Sequence, residues 1–351
     1  MSKIRLMIID DSLFFRTFLT HKLGGNPAIE IVGSFGDPLE ASQNIRALRP
    51  DVIALDMEMP KMRGNEFLRK VMPNHPGVKT IVISALSGNV FDAMHAGAID
   101  FIGKPGSRPG FNEDKFVSEI IQKIKVASTA HVVMHDDAPV AQKMRPRTAP
   151  ASRPAITGAS SKSVIAIGAS TGGTEAIIEV VKDFPASTPG VVIVQHMPPV
   201  FTKMYAERVD KICAMSVREA QNGDRVARGT ILIAPGGEYQ MYLRQDSSGY
   251  FVYLAQGAKV SGHRPSVDVL FDSVAKTAGR NAVGVLLTGM GADGARGLTD
   301  MKKIGAHTIG QDEDSCVVYG MPMEAFKRGG VTEQLPLSSI GDAVLRRFSA
   351  R

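Results

Sequence analysis

Short apolar strands alternate with amphipathic helical segments over residues 3–126, stop, and resume at Ser163. That alternation predicts parallel sheets covered by helices on both faces. In the first block Phe15, Phe18, Leu19 and Leu23 share one helical face behind Ser12, a candidate N-cap. Strand and helix then alternate up to a last helix around Phe116 to Lys125. The interruption is clearest over 138–161, which is rich in Pro, Ala, Ser and Arg and has no apolar period. It reads as a flexible, partly extended linker. The second block opens with a strand at Val164 to Ile167. Ala176, Ile177, Val180, Val181 and Phe184 mark the buried face of the helix that follows, Val191 to Val194 form a strand, and a further helix begins near Pro199. The Gly-punctuated stretch 215–257 predicts antiparallel strands and hairpins. Helix and strand return at Val267 to Ala278 and Val283 to Leu287. The expected fold class is α/β, with two doubly wound parallel-sheet domains, the second carrying an antiparallel hairpin insertion. The expected boundaries are 1–127 for the first domain, 128–161 for the linker and 162–351 for the second.

A chain of 351 residues is long enough to build two cores. Its apolar fraction of 44% and charged fraction of 22% are those of a soluble globular protein. No apolar run reaches the roughly 18–20 residues that span a bilayer, so direct membrane insertion is not expected. The start, Met1-Ser2-Lys3-Ile4-Arg5, has no signal-peptide core, which places the protein in the cytoplasm. Cys213 and Cys316 suit a reducing compartment and read as inert thiols. The net charge of +6 lies partly in the linker, at Lys143, Arg145, Arg147, Arg153 and Lys162. No basic stripe interleaved with aromatics points to nucleic acid.

Four strand ends of the first block carry polar groups: Asp10 and Asp11, then Asp56, then Ser84, then Lys104. Ligands bind at the carboxyl ends of such strands. Acids there are common turn residues, but five such groups on four successive strand ends exceed that explanation. Three gathered carboxylates repel one another unless a hard cation such as Mg²⁺ sits among them. One of them could then attack a phosphoryl donor. This segment resembles the receiver domain of bacterial two-component response regulators, with a flavodoxin-like fold. The resemblance implies Asp56 as phosphoacceptor, Asp10, Asp11 and Asp56 as Mg²⁺ ligands, and Ser84, Phe101 and Lys104 as the residues that sense the phosphoryl group. It also implies a cis Lys104–Pro105 bond. Lys61-Met62-Arg63-Gly64 departs from the pattern, since many receivers have Asp or Asn before that glycine.

In the second block Gly168-Ala169-Ser170-Thr171-Gly172 lies between a strand and a helix. It matches G-x-S-x-G, a turn that exposes a serine above a sheet. Taken alone it fits a phosphate-binding loop equally well. Two more strand ends weigh against that. Val191 to Gln195 runs into His196, with His263 and His307 as rival histidines, and Val283 to Leu287 runs into Thr288 to Gly294, which contains Asp293. Asp293 could simply cap a helix. Together Ser170, His196 and Asp293 form a nucleophile, base and orienter set. Their chain order differs from that of α/β-hydrolases, which points to a different, Rossmann-like sheet.

With the receiver-like block in front, the whole chain resembles the chemotaxis response-regulator protein-glutamate methylesterases, which also act as protein-glutamine glutaminases. The segments that carry the likeness are Gly168 to Gly173, Gln195-His196-Met197-Pro198, Gly262 to Asp268 and Leu287 to Gly294. The resemblance implies Ser170 as nucleophile, His196 as base and Asp293 as its orienter. It implies an oxyanion site at the backbone of Thr171 and Met290, and a cleft lined by His263 and Arg264. Arg264 either holds an acidic neighbour of the substrate or pairs with Asp268. The implied partners are a histidine kinase as phosphodonor and methyl-accepting chemotaxis receptors as substrate, with no cofactor in the esterase site. A monomer is expected. A nucleotide-binding output module or a non-catalytic scaffold remains the alternative.

Overall fold

The computed structural model describes residues 2–85, 90–105, 112–131, 156 and 162–348. The chain divides into two compact units, Met1–Asp136 and Asp137–Arg351. Among the described residues no helix is long and apolar enough to cross a membrane.

The first unit holds strands β1 (Ile4–Ile9), β2 (Ile29–Phe35), β3 (Val52–Asp56), β4 (Lys79–Ser84) and β5 (Asp100–Gly103) in the order β2-β1-β3-β4-β5. Every pairing is parallel. This is the flavodoxin-type order, whose crevice opens where the winding reverses, between β1 and β3. Strand β3 is buried along its whole length, as a strand covered on both faces must be. The helices start where the sequence supplies caps. Ser12 accepts a hydrogen bond from the Phe15 N–H at the start of α1 (Leu13–Gly24). Asp37 does the same for Leu39 at α2 (Pro38–Leu48), and Asn112 for Lys115 at α5 (Glu113–Thr129). Phe15, Phe18 and Phe116 pack α1 against α5. Two shorter helices, α3 (Gly64–Lys70) and α4 (Val90–His95), complete the unit. Helix α5 runs two residues past the expected boundary at 127.

Most of the linker expected over 128–161 lies outside the described residues. Ile156 does not: it is buried, its N–H donates to Ser187 Oγ, and its carbonyl accepts from Arg228.

The second unit is built on seven parallel strands in the order β14-β13-β12-β6-β7-β9-β8. The central three are β12 (Ala282–Leu286), β6 (Val164–Ala169) and β7 (Gly190–Gln195). Strand β9 (Thr230–Ile233) and edge strand β8 (Ser216–Glu219) lie on one side, β13 (His307–Gln311) and β14 (Glu333–Leu335) on the other. The winding reverses between β6 and β12. Helices α6 (Gly173–Val181), α7 (Phe201–Ile212), α8 (Val267–Ala278), α9 (Ala295–Lys303), α10 (Met321–Lys327) and α11 (Leu337–Arg346) cover the sheet.

The expectation of antiparallel strands throughout 215–257 is half corrected. Strands β10 (Tyr239–Asp246) and β11 (Gly249–Gln256) do form an antiparallel hairpin. Strands β8 and β9 instead extend the main sheet in parallel. Parallel neighbours need a crossover, and here it is a strand-like segment rather than a helix. Gly223 and Val226 donate to the carbonyls of Val252 and Tyr250, and Asp224 accepts from Val252, so the connection runs along β11. The Lys104–Pro105 bond is also corrected: the single cis bond among the described residues is Arg264–Pro265. Both isomers of an X–Pro bond lie close in energy, and Lys104 reaches its acidic partners from the trans form.

Gly168 sits on β6 where α8 crosses it. A Cβ there would lie 2.2 Å from Val267 Cγ1. Gly168→Ala is therefore expected to lower the urea midpoint of the second unit by the equivalent of about 1–3 kcal/mol, the usual cost of overpacking. An unchanged midpoint would show that Val267 can give way.

Candidate active site and phosphoacceptor pocket

In the first unit Asp10 follows β1, Asp56 ends β3, Ser84 ends β4 and Lys104 follows β5, all at one edge of the sheet. Asp10, Asp56 and Ser84 are buried, and Asp11 is exposed. Lys104 Nζ lies 2.8 Å from Asp10 Oδ2 and 2.7 Å from Asp56 Oδ2. Burial pushes the Asp56 carboxyl above its usual range, against the pull of Lys104. For Lys104 burial opposes the charge, but the two carboxylates outweigh it and hold the ammonium above its usual value. Oxygens of Asp10, Asp11 and Asp56 come within 4.8 Å of one another, close enough to share one cation. Phe101 is buried edge-on against Phe91, with ring centroids 6.0 Å apart. Arg63 is exposed at the start of α3 and caps nothing.

In the second unit Ala169 and Gln195 are register partners, so Ser170 and His196 leave adjacent strands side by side. Asp293 arrives from the loop after β12, on the other side of β6. The three predicted residues therefore gather at the winding reversal. Ser170 is half-buried, and its backbone is clamped from both neighbours. Its N–H donates to the Thr288 carbonyl at 3.0 Å, and its carbonyl accepts from Gln195 Nε2 at 2.8 Å. The left-handed turn falls on Gly172, with φ 78°, and not on the serine. A Cβ on Gly172 would lie 2.6 Å from that of Val317. Gly172 is also the N-cap of α6, so no side chain caps the first N–H groups of that helix.

Asp293 is 1% exposed and fully engaged. Its Oδ2 accepts from His196 Nε2 and from the Val267 N–H, both at 2.8 Å. Its Oδ1 accepts from Ser266 Oγ at 2.7 Å and from the Asp268 N–H at 3.1 Å. Burial by itself would raise this carboxyl, but the bonds from His196, Ser266 and Val267 outweigh it and hold it below its usual range. His196 Nδ1 is buried and, among the described residues, has no hydrogen-bond partner. It is the ring nitrogen that Asp293 does not engage. Ser170 Oγ and Nδ1 are not hydrogen-bonded to each other, as is common before substrate binds.

Arg264 does not meet Asp268. Its Nε donates to the Gly237 carbonyl at 2.8 Å and its Nη1 to the Gly257 carbonyl at 2.7 Å, while Asp268 accepts from the Gly297 N–H. Thr171 is buried, and its carbonyl accepts from Thr288 Oγ1. Met290 is 42% exposed, and among the described residues its N–H makes no hydrogen bond. His263 stacks on His196. His307 is far along the sheet, at the foot of β13 beside Glu333. Burial pushes the Cys213 thiol up to about 12 and that of Cys316 higher still, which disfavours the reactive thiolate at both. Sequence reasoning gave no role to Ser266, Gln195 or Thr288. A Gln closing an otherwise apolar strand was the one available signal.

Comparison with known proteins places both units in families. Residues 165–344 match the CheB methylesterase family, and residues 6–113 match the response regulator receiver domain. The chain belongs to the CheB methylesterase family. A protein-glutamate methylesterase/protein-glutamine glutaminase of Syntrophomonas wolfei is 52% identical, over 98% of this chain and 97% of its own. The enzyme of the same name from Salmonella typhimurium is 45% identical, over 100% of this chain and 98% of its own. The crystal structure of the Thermotoga maritima CheB methylesterase catalytic domain shares 34% identity with a TM-score of 0.51, covering 53% of this chain and 98% of that one.

The low value held by Asp293 has a testable sign. The stability it contributes is complete above the unfolded carboxyl value of about 3.9 and disappears as the pH falls through the lower folded value. Asp293→Asn should therefore be less stable than wild type at pH 7, by on the order of 3 kcal/mol. Urea titrations at falling pH should show that gap narrowing below about pH 4. A gap that widened on acidification would contradict the assignment.

Proposed function

We propose that the second unit hydrolyses γ-methyl esters of glutamate on methyl-accepting chemotaxis receptors, releasing methanol, and deamidates glutamines at the same sites. Phosphorylation of Asp56 in the first unit switches this activity on. The observation that carries the hydrolytic reading is the buried His196–Asp293 hydrogen bond beside Ser170. A module that merely bound nucleotide would have no use for it. Family membership supports the same reading.

Ser170 Oγ attacks the ester carbonyl while His196 Nδ1 takes its proton. Asp293 fixes the ring through Nε2 and stabilises the imidazolium that forms. The oxyanion faces the N–H groups around Thr171 and Met290, with the uncapped start of α6 behind them. Collapse of the tetrahedral intermediate breaks the bond to methoxide, which leaves as methanol with the proton from His196. Water then attacks the glutamyl ester with His196 again as base, restoring Ser170 and leaving a glutamate carboxylate. A glutamine amide follows the same path with ammonia as leaving group.

In the first unit an Asp56 carboxylate oxygen attacks the phosphorus of a histidine kinase's phosphohistidine, the P–N bond breaks, and an acyl phosphate forms. Asp10, Asp11 and Asp56 would hold a Mg²⁺ ion. The fit rests on Oδ2 of Asp10 and of Asp56, both buried and both turned toward a single ammonium. When bound, the ion offsets carboxylate charge and neutralises phosphoryl oxygens. Lys104 is placed to move from the carboxylates to the phosphoryl group, and Ser84 to donate to it.

Ser170→Ala should cut methanol release from methylated receptor cytoplasmic domains by several orders of magnitude, with the fold retained. Turnover above a few per cent of wild type would remove Ser170 from the nucleophile role. Asp56→Asn should leave basal release in place and abolish its stimulation by a small-molecule phosphodonor. Stimulation that survived the substitution would place the phosphoacceptor elsewhere.

A further inference from the structure

The ring of His263 lies flat on that of the base. The two imidazole centroids are 3.6 Å apart and the planes differ by 4°. The segment that carries His263 is tightly held. Ser261 and Gly262 have φ of 52° and 83°, and Val260 and His263 exchange both backbone hydrogen bonds, at 3.0 and 2.9 Å. That is a two-residue turn with both central residues left-handed, a rigid connection. Arg264, the next residue, is tied to the carbonyls of Gly237 and Gly257. Gln240 is buried in β10. It receives the Ser266 N–H on Oε1 at 2.8 Å and donates from Nε2 to the His263 carbonyl at 3.4 Å. Three residues beyond His263, Ser266 Oγ holds Asp293.

We infer that His263 is a positioning residue whose flat ring sets the plane of the His196 imidazole. His196 has two other anchors, its own Cβ and the hydrogen bond from Nε2 to Asp293. Two anchors leave a ring free to tilt about the line between them. That tilt decides where Nδ1 points, and Nδ1 is the atom that must meet the serine. A parallel plane in van der Waals contact removes the tilt. It also covers one face of the ring from water. The segment 260–266 thus sets both the orientation of the base and, through Ser266, that of its carboxylate partner.

The inference rests on the hydrolytic reading of this site, and the experiment separates the role of His263 from the assignment of the substrate. His263→Ala, His263→Leu and His263→Phe are made in the full chain. Each is measured for kcat and KM in methanol release, and for the rate at which a fluorophosphonate labels Ser170. Circular dichroism and thermal unfolding check the fold. Loss of the plane should lower kcat and the labelling rate of His263→Ala by about 10- to 100-fold, the scale of a misplaced reacting group, with KM little changed. His263→Leu supplies bulk without a plane and should resemble His263→Ala. His263→Phe supplies the plane without the nitrogens and should recover most of the activity. Equal activity for Leu and Phe, or Phe as impaired as Ala, or a change confined to KM, would overturn the inference. Wild-type protein that labels at Ser170 but releases no methanol would overturn the substrate reading alone, and the labelling rates would still decide the role of His263.

Discussion

A carboxylate that is almost wholly buried must have every lone pair answered, and the second unit is organised around that demand. Asp293 meets a backbone N–H and a hydroxyl from the start of α8, a further N–H one residue on, and the imidazole at the end of β7. One ion thereby fixes the distance between a helix, the loop after β12 and the strand beside Ser170. Helix α8 also packs across β6 at Gly168, so the serine strand belongs to the same frame. A buried unpaired charge would be far too costly to keep. The bonds to Asp293 therefore support one another and hold His196 in a single orientation beside Ser170.

The first unit treats its charges in the opposite way. Asp10 and Asp56 turn toward one another at the winding reversal, and a single lysine balances them. Burial there raises the Asp56 carboxyl, whereas the bonds at Asp293 lower that one. The difference follows from donors. Asp293 sits at a helix N-terminus with N–H groups aimed at it. Among the described residues Asp56 meets Lys104 and the Glu58 N–H, a smaller set of donors than surrounds Asp293. One carboxylate is saturated with donors, and the other shares a single ammonium with Asp10.

What the sequence disclosed follows the same logic. Asp10, Asp56, Ser84, Lys104, Ser170 and His196 were legible because each ends or follows an apolar strand, and parallel strands bring such ends together. Asp293 was legible as the acid in a glycine-rich strand exit. Ser266, Gln240 and Gln195 were not, since their partners lie 25 or more positions away and no periodic pattern announces a contact of that range. Of the two readings open for Arg264, the pairing with Asp268 falls away: the turn at 261–262 directs its guanidinium to carbonyls of Gly237 and Gly257 instead. The parallel pairing of β8 with β9 was hidden because glycines that usually signal hairpins here serve a strand-like crossover.

The turn at Gly172 carries a consequence for how such a protein can change. Helices α1, α2, α5 and α8 begin on a side chain that caps them, and α6 begins on a left-handed glycine that does not. Elsewhere a serine or asparagine at this position would be an easy gain in stability. Here the backbone angle resists any side chain and Val317 occupies the space one would need. The most accessible stabilising step is thus closed at the helix that follows Ser170. Mutational drift toward a sturdier protein, natural or selected in the laboratory, has to travel through other helices and leaves this one as it is.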